Sequence, residues 1–150
     1  MRNLQRKKRL NLGTLQEFSQ RALQLCAGMR RSRKSRLSQM RQIEVLLISD
    51  RRMAALHRRF LNLIGPTDVI TFQHGEIFVS VETAHRNALH YETSLEAEVR
   101  LYIIHGILHL LGYDDSTPAG RRTMNALQDR VLASLAAPGG GIFTRPGRLN

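Results

Sequence analysis

The chain has 150 residues, and 42% of them are hydrophobic, which suits one folded domain with its own core. The single cysteine, Cys26, excludes an internal disulfide and a multi-cysteine zinc site, fits a reducing, cytoplasmic environment and is interpreted as a small buried side chain. The longest apolar run, residues 101–111, is shorter than the ~20 residues of a transmembrane helix, and the formal net charge of +11 favours a polyanionic partner.

The positive charge is concentrated at the N-terminal end of the chain. Residues 1–43 contain twelve of the 23 lysines and arginines and only one acid, Glu17, so their charge equals that of the whole chain. We interpret this region as a cationic arm that binds RNA or DNA, because each neutralised phosphate releases condensed counterions. A solvated loop at 30–36, an anionic lipid surface and an organelle transit peptide are the alternatives.

Helices and short strands alternate along the chain, as apolar residues at helical spacing and β-branched runs indicate. In chain order, the predicted elements are a helix at 14–29, a strand at 42–49, a helix at 50–62, strands at 69–72 and 77–81, and helices at 81–90, 94–111 and 119–135. They predict an α+β fold in which a small mixed β-sheet packs in two layers with helices around a buried central helix. We expect a single domain at 1–137, with its basic region at 1–43, and a flexible tail at 138–150.

Polar residues and a glycine are predicted to set the ends of two helices. Asp50 is expected to cap the helix that follows it. Thr93 and Glu96 fit a capping box at the start of the helix at 94–111, and Gly112 is expected to end that helix in a left-handed turn.

The helix at 94–111 carries the most unusual feature of the sequence. From Leu101 onward it is apolar on nearly every side, which predicts burial, yet it contains His105 and His109. The two rings share one face because they are four residues apart, and burying each without a partner costs about 1–3 kcal/mol. A divalent metal would offset that cost, since neutral imidazole is a common metal ligand. Gly106 between them indicates that another element passes close to the helix.

An acidic pair follows this helix. Asp114 and Asp115 come directly after the predicted turn, within reach of the same metal. Zinc peptidases with the H-E-x-x-H motif carry a glutamate after the first histidine, but this chain has Gly106 there, which disfavours a peptidase. The alternative to a metal site is that both histidines are buried in the core with their hydrogen bonds made to other protein groups.

Residues 105–115, HGILHLLGYDD, resemble the H-G-x-L-H-L-x-G-Y-D-H signature of the YbeY endoribonucleases and differ from it at the last position alone. Upstream, PTDVITF at 66–72 is similar to P-T-D-V-L-S-F of that family, and GEIFVS at 75–80 is similar to its G-D-I-x-I-S segment. The resemblance implies an α+β fold, one zinc ion held by three histidines, and hydrolysis of single-stranded RNA in 16S rRNA 3′-end maturation and ribosome quality control.

The first departure from the family concerns the metal ligands. His105 and His109 take the first two ligand positions, and Asp115 stands in place of the third histidine. An aspartate adds a negative charge and opens the site to harder metals such as iron or manganese, although zinc is the expected cofactor. Asp114, which keeps the family's residue, is expected to orient a ligand or to bind the metal itself.

The second departure concerns an arginine that the family is expected to use at phosphate. The family has an R-G pair after an aromatic residue, whereas here Phe60 is followed by Leu61 and Asn62. Arg59 is the predicted substitute, with Arg58 as the alternative. The predicted catalytic residues are therefore His105, His109, Asp115 and Arg59.

The predicted function is a zinc-dependent endoribonuclease that uses a metal-activated water to cleave single-stranded RNA. Its expected partners are rRNA and the ribosomal particle, and neither a membrane nor a small-molecule cofactor is expected. A non-catalytic ribosome-assembly factor with a structural metal is the alternative, since both departures favour it. Three protein ligands with an open position would indicate catalysis, and four would indicate a structural site.

The sequence has four further histidines, namely His57, His74, His85 and His90. They are interpreted as surface residues, except that His74 could approach the metal.

Overall fold

The computed structural model describes residues 1–29 and 42–136. The strands are β1 (Arg2–Asn3), β2 (Glu44–Ile48), β3 (Val69–Phe72) and β4 (Glu76–Ser80), and the helices are α1 (Leu12–Ala27), α2 (Asp50–Leu61), α3 (Val81–His90), α4 (Leu95–Leu110) and α5 (Pro118–Leu135). The predicted α+β class is confirmed. The expected tail at 138–150 and the basic stretch at 30–36 lie outside the described residues. None of the described helices is long and apolar enough to cross a bilayer.

The sheet is mixed, with the strand order β1–β2–β4–β3. Strand β2 pairs in parallel with β1 and β4, whereas β3 runs antiparallel to β4. The register places Leu46 and Ile70 on either side of Phe78. Strand β1 was not predicted, because two polar residues carry no recognisable strand pattern.

Both faces of the sheet are covered by helices, so the fold has three layers rather than the predicted two. Val45 and Leu47 of β2 point into the core formed with α1, α4 and α5. Leu46 and Ile48 point the other way and pack with Met53 of α2. A strand that is apolar at successive positions is typical of burial on both faces, which explains why the two-layer prediction was wrong.

Helix α4 is the central element, as predicted. Ten of its 16 residues are buried, and it packs against α1, α3, α5, β3 and β4. At Gly106 an added Cβ would lie 2.6 Å from Cγ2 of Ile77 and 3.1 Å from Oγ1 of Thr71. The predicted close approach of another element at Gly106 is therefore confirmed, and that element is the β3–β4 pair.

The N-terminal residues belong to the folded body and do not form a free arm. Leu15, Ala22 and Cys26 of α1 are fully buried, and burial raises the pKa of the Cys26 thiol to about 11. Arg2 pairs with Glu44, and Lys7 lies 2.7 Å from Oε1 of Glu82. The description of this end as an arm was wrong for residues 1–27, because α1 supplies core side chains.

Both predicted helix caps are displaced by one residue. Ser49 rather than Asp50 caps α2, and Ser94 rather than Thr93 caps α4. At the start of each helix, two adjacent residues are of a type that can cap it, and the sequence alone does not decide which of the two does so. Gly112 follows the end of α4 with a φ of +89°, as predicted for a left-handed turn.

Candidate metal centre

Helix α4 presents His105 and His109 from consecutive turns of one face. Their ring centroids are 4.5 Å apart, and the ring planes are inclined by 81°. The two Nε2 atoms face each other at 2.9 Å. The side chains are 20% and 28% exposed, so the pair lies at the boundary between the core and solvent.

The turn after α4 brings a carboxylate to these rings. Oδ2 of Asp115 lies 3.5 Å from Nε2 of His105, and Oδ1 lies 3.7 Å from Nε2 of His109. The carboxylate of Asp114 instead accepts hydrogen bonds from the backbone N–H and the hydroxyl of Ser116. Of the two predicted acids, the structure therefore brings Asp115 to the histidines and places Asp114 in the turn.

Each imidazole hydrogen-bonds through Nδ1 to an oxygen that can only accept. His109 Nδ1 donates to the backbone carbonyl of Tyr113 at 3.0 Å, and His105 Nδ1 donates to Oε1 of Gln128 at 2.5 Å. Both Nδ1 atoms therefore carry a proton, so Nε2 of either ring offers a lone pair whenever that ring is neutral. Two lone pairs that face each other repel, and a cation close to both removes that repulsion.

The environment of His109 favours its neutral form. Burial lowers its pKa below the ordinary value of 6.5, and the neighbouring His105 lowers it further. Asp115, the carbonyl of Tyr113 and Asp114 act in the opposite direction but do not reverse the shift. A neutral imidazole is the form that binds metal ions.

The three side chains lie close enough together to share one divalent ion such as zinc. Zinc–ligand distances of 2.0–2.2 Å place neighbouring ligand atoms about 3.3–3.6 Å apart. The separation of 3.5 Å between His105 and Asp115 lies in this range, the 3.7 Å between His109 and Asp115 lies slightly above it, and the 2.9 Å between the two Nε2 atoms lies below it. Within residues 1–29 and 42–136, His105, His109 and Asp115 form the one group of potential ligands whose atoms all lie within 4.8 Å of one another. The donor set therefore fits a divalent metal.

Gln128 is the residue at this site that sequence reasoning missed. It lies on α5, is only 8% exposed and holds His105 in place through the Nδ1 hydrogen bond. Its neighbours on the same helix face, Met124 and Val131, are both 1% exposed. A polar side chain on the apolar face of a helix requires a buried hydrogen-bond partner. The position of a glutamine on the apolar face of this helix was therefore the signal in the sequence.

A cleft of about 600 Å³ opens beside His109. The end of α2, strand β3 and the turn after α4 form its walls. Phe60 and Leu61 line it and are 53% and 52% exposed, so an apolar surface occupies the place of the arginine that the family resemblance implies. The guanidinium of the exposed Arg59 lies 5.3 Å from the centroid of the Phe60 ring, and its role at phosphate stays a prediction.

None of the other described histidines joins the metal cluster. His74 Nε2 lies 2.7 Å from Oε2 of Glu76, and its ring stacks on Phe72, so the structure does not bring it to the metal ligands. His90 is exposed as predicted, whereas His57 and His85 are half-buried.

Comparison with known proteins identifies the family of this chain. A family model described as Endoribonuclease YbeY matches residues 1–136. A relative of that name from Acidothermus cellulolyticus is 32% identical over 136 residues, covering 77% of this chain and 82% of its own length. Another from Chlorobium phaeovibrioides is 36% identical over 102 residues, covering 63% of this chain and 69% of its own length.

A solved structure shows a similar fold. The solution structure of TM1509 from Thermotoga maritima is 24% identical, has a TM-score of 0.51 and covers 87% of this chain and 91% of its own. On the family match over residues 1–136 and the similarity to its named members, the chain belongs to the YbeY family of endoribonucleases.

Proposed function

We propose that this chain is a zinc-dependent endoribonuclease that cleaves single-stranded RNA, with 16S rRNA 3′-end maturation and ribosome quality control as its role. One observation carries the proposal: three potential ligands, His105, His109 and Asp115, meet beside an open cleft. Catalytic zinc sites have three protein ligands and an open position, whereas structural sites have four.

The three side chains would hold the metal at the end of α4. A divalent metal held there would polarise a phosphate oxygen and make a water more acidic. The carboxylate of Asp115 neutralises one of the two charges of such an ion, which favours retention but weakens the Lewis acid relative to three neutral histidines. Gln128 and the carbonyl of Tyr113 hold the Nδ1 protons, so that Nε2 of each ring would be the atom that binds the metal.

Basic residues of α2 would attract the RNA backbone to the cleft. Four exposed arginines lie on this helix, namely Arg51, Arg52, Arg58 and Arg59. The last turn of α2 borders the cleft, and we assign Arg59 to a phosphate contact beside the metal. Arg2 lies in β1, at the opposite edge of the sheet from β3, and the basic residues of the N-terminal region would attract the ribosomal particle from a distance.

A non-catalytic ribosome-assembly factor is the second candidate. It is favoured by Leu61, an exposed apolar residue in the cleft at the place of the family's arginine. On that account the metal would stabilise the turn after α4, and the protein would bind RNA without cleaving it.

An RNA cleavage assay tests the proposal. Purified protein is mixed with a labelled single-stranded RNA or the matched duplex, with a chelator present and again after zinc is restored. We expect cleavage of the single strand alone, loss with the chelator and recovery with zinc. His105→Ala should abolish cleavage, and His85→Ala, which removes a histidine outside the cluster, should not. Binding without cleavage under every condition would favour the assembly factor.

A further inference from the structure

Aromatic side chains are concentrated at the cleft beside the metal centre. The chain has five phenylalanines, three tyrosines and no tryptophan, yet Phe60, Phe72 and Tyr113 all line this cleft. The rings of Phe60 and Phe72 meet edge to face, with centroids 4.9 Å apart and an interplanar angle of 74°. Although the whole chain has few aromatic residues, the cleft therefore has an aromatic surface on which a flat ring can stack.

Phe60 is held in place and is still accessible. Phe72 supports its ring from within the cleft, and 53% of Phe60 remains exposed. Leu61 extends the apolar surface, while the guanidinium of Arg59 lies 5.3 Å from the Phe60 centroid. An exposed aromatic ring next to a cation is the combination with which proteins bind single-stranded nucleic acid, because the ring stacks on a base and the cation contacts the backbone.

We infer that Phe60 is a stacking platform for an unpaired nucleobase next to the phosphodiester that is cleaved. This inference rests on the proposed nuclease function. A nucleotide combines a flat apolar ring with an anionic phosphate. The cleft offers an aromatic surface and the metal-ligand candidate His109 in one continuous space, and the Arg59 guanidinium lies next to the Phe60 ring. An apolar side chain of a protein partner would use the aromatic surface but would leave the cationic groups without a counterpart.

Stacking at Phe60 gives a physical reason for a preference for single strands. A base in a duplex is already stacked and paired, so it cannot lie on the ring unless it leaves the helix. Stacking on an aromatic ring tolerates every base, so the platform would select unpaired RNA without reading its sequence. The cleft volume of about 600 Å³ lies within the usual range for small-ligand sites, about 300–1,000 Å³.

A tryptophan reporter tests the inference directly. Because the chain has no tryptophan, Phe60→Trp provides a single fluorophore on the proposed platform. The control is Leu89→Trp on α3, at a 69% exposed position that does not line the cleft. Zinc-loaded protein is mixed in a stopped-flow instrument with hexa-adenylate, with an abasic ribose-phosphate oligomer of equal length, or with a duplex.

We expect hexa-adenylate to quench the fluorescence of Phe60→Trp, and neither the abasic oligomer nor the duplex to do so. The Leu89→Trp signal should not respond. Phe60→Leu, which keeps an apolar side chain but removes the ring, should weaken hexa-adenylate binding by about five- to 150-fold. Its binding of the abasic oligomer should equal that of the wild type.

Two outcomes separate this inference from the nuclease proposal. If Phe60→Trp cleaves RNA but its fluorescence is unchanged, or if the abasic oligomer quenches equally, the stacking inference is overturned and the nuclease proposal stands. An unchanged signal is also the result expected if the natural ligand of Phe60 is an apolar side chain of a protein partner and not a base. If hexa-adenylate quenches the signal but neither the variant nor the wild type cleaves RNA, base stacking at Phe60 is supported and the nuclease proposal fails.

Discussion

Oε1 of Gln128 lies 2.5 Å from Nδ1 of His105, so a residue 23 positions along the chain fixes the protonation of a metal-ligand candidate. Because the amide oxygen only accepts, the proton stays on Nδ1 and the lone pair of Nε2 faces His109. The α4–α5 contact is therefore part of the candidate metal centre as well as part of the core.

The first prediction concerns Gln128. Gln128→Leu should lower the zinc affinity by about 10- to 100-fold, because His105 loses the partner that holds its ring and its tautomer. Competition with a chromophoric chelator measures the affinity, and ¹⁵N NMR should show the proton of His105 moving from Nδ1 toward Nε2. Asn125→Leu, at an exposed position of the same helix, is the control and should change neither readout. An unchanged tautomer in Gln128→Leu would show that the hydrogen bond does not set it.

The second prediction separates the two acids after α4. Asp115→Ala should weaken zinc binding by about 10- to 100-fold or more, because it removes a donor that lies 3.5 Å from His105 Nε2. Asp114→Ala is the matched control and should cost less, since that carboxylate is engaged by Ser116. Asp115→His should retain or raise zinc affinity, as expected of a ligand position. Isothermal titration calorimetry checks all three variants, and equal losses in the two alanine variants would contradict the assignment.

The third prediction concerns the close contact at Gly106. Gly106→Ala should destabilise the protein by about 1–3 kcal/mol, because the new Cβ would lie 2.6 Å from Cγ2 of the fully buried Ile77. In a double-mutant cycle with Ile77→Ala, the combined loss should be smaller than the sum of the single losses. Gly13→Ala is the control in α1, where an added Cβ would lie at an ordinary contact distance of 3.4 Å from Oδ1 of Asn11. Urea unfolding provides the free energies, and strict additivity would argue against this contact.

The fourth prediction concerns acid stability. Burial alone would raise the pKa of Asp50, but hydrogen bonds from Ser80, Arg86 and Thr83, together with the charge of Arg86, hold it below the ordinary value of 3.8. The folded state therefore favours the carboxylate, and this contribution is present above the ordinary pKa and lost as the pH falls through the lower pKa of the folded state.

Asp50→Asn should accordingly be less stable than the wild type at neutral pH, and the difference should shrink as the pH falls below about 4. Urea unfolding between pH 3 and pH 7 measures it. Asp129→Asn, at an exposed position of α5, serves as the comparison. A difference between wild type and Asp50→Asn that stays constant over this pH range would contradict the role given to the Asp50 carboxylate.

The sequence was most informative where a pattern is local. The apolar surround of His105 and His109 predicted a buried helix, and Gly106 predicted the close approach that Ile77 makes. Contacts between segments that are far apart in the sequence leave no local pattern from which they can be predicted. Gln128 could be suspected only as a polar residue on an apolar face, and the meeting of Phe60 with Phe72 depends on how α2 lies against the sheet.

The central claim is that a cation occupies the space that Nε2 of His105, Nε2 of His109 and the Asp115 carboxylate share. Native mass spectrometry after zinc loading and removal of excess metal measures this most directly, with the double variant His105→Ala/His109→Ala beside a His57→Ala/His85→Ala control. We predict one zinc ion per chain in the wild type and in the control, and none in the His105→Ala/His109→Ala protein. A wild type that retains no metal, or equal loading of all three proteins, would contradict the claim.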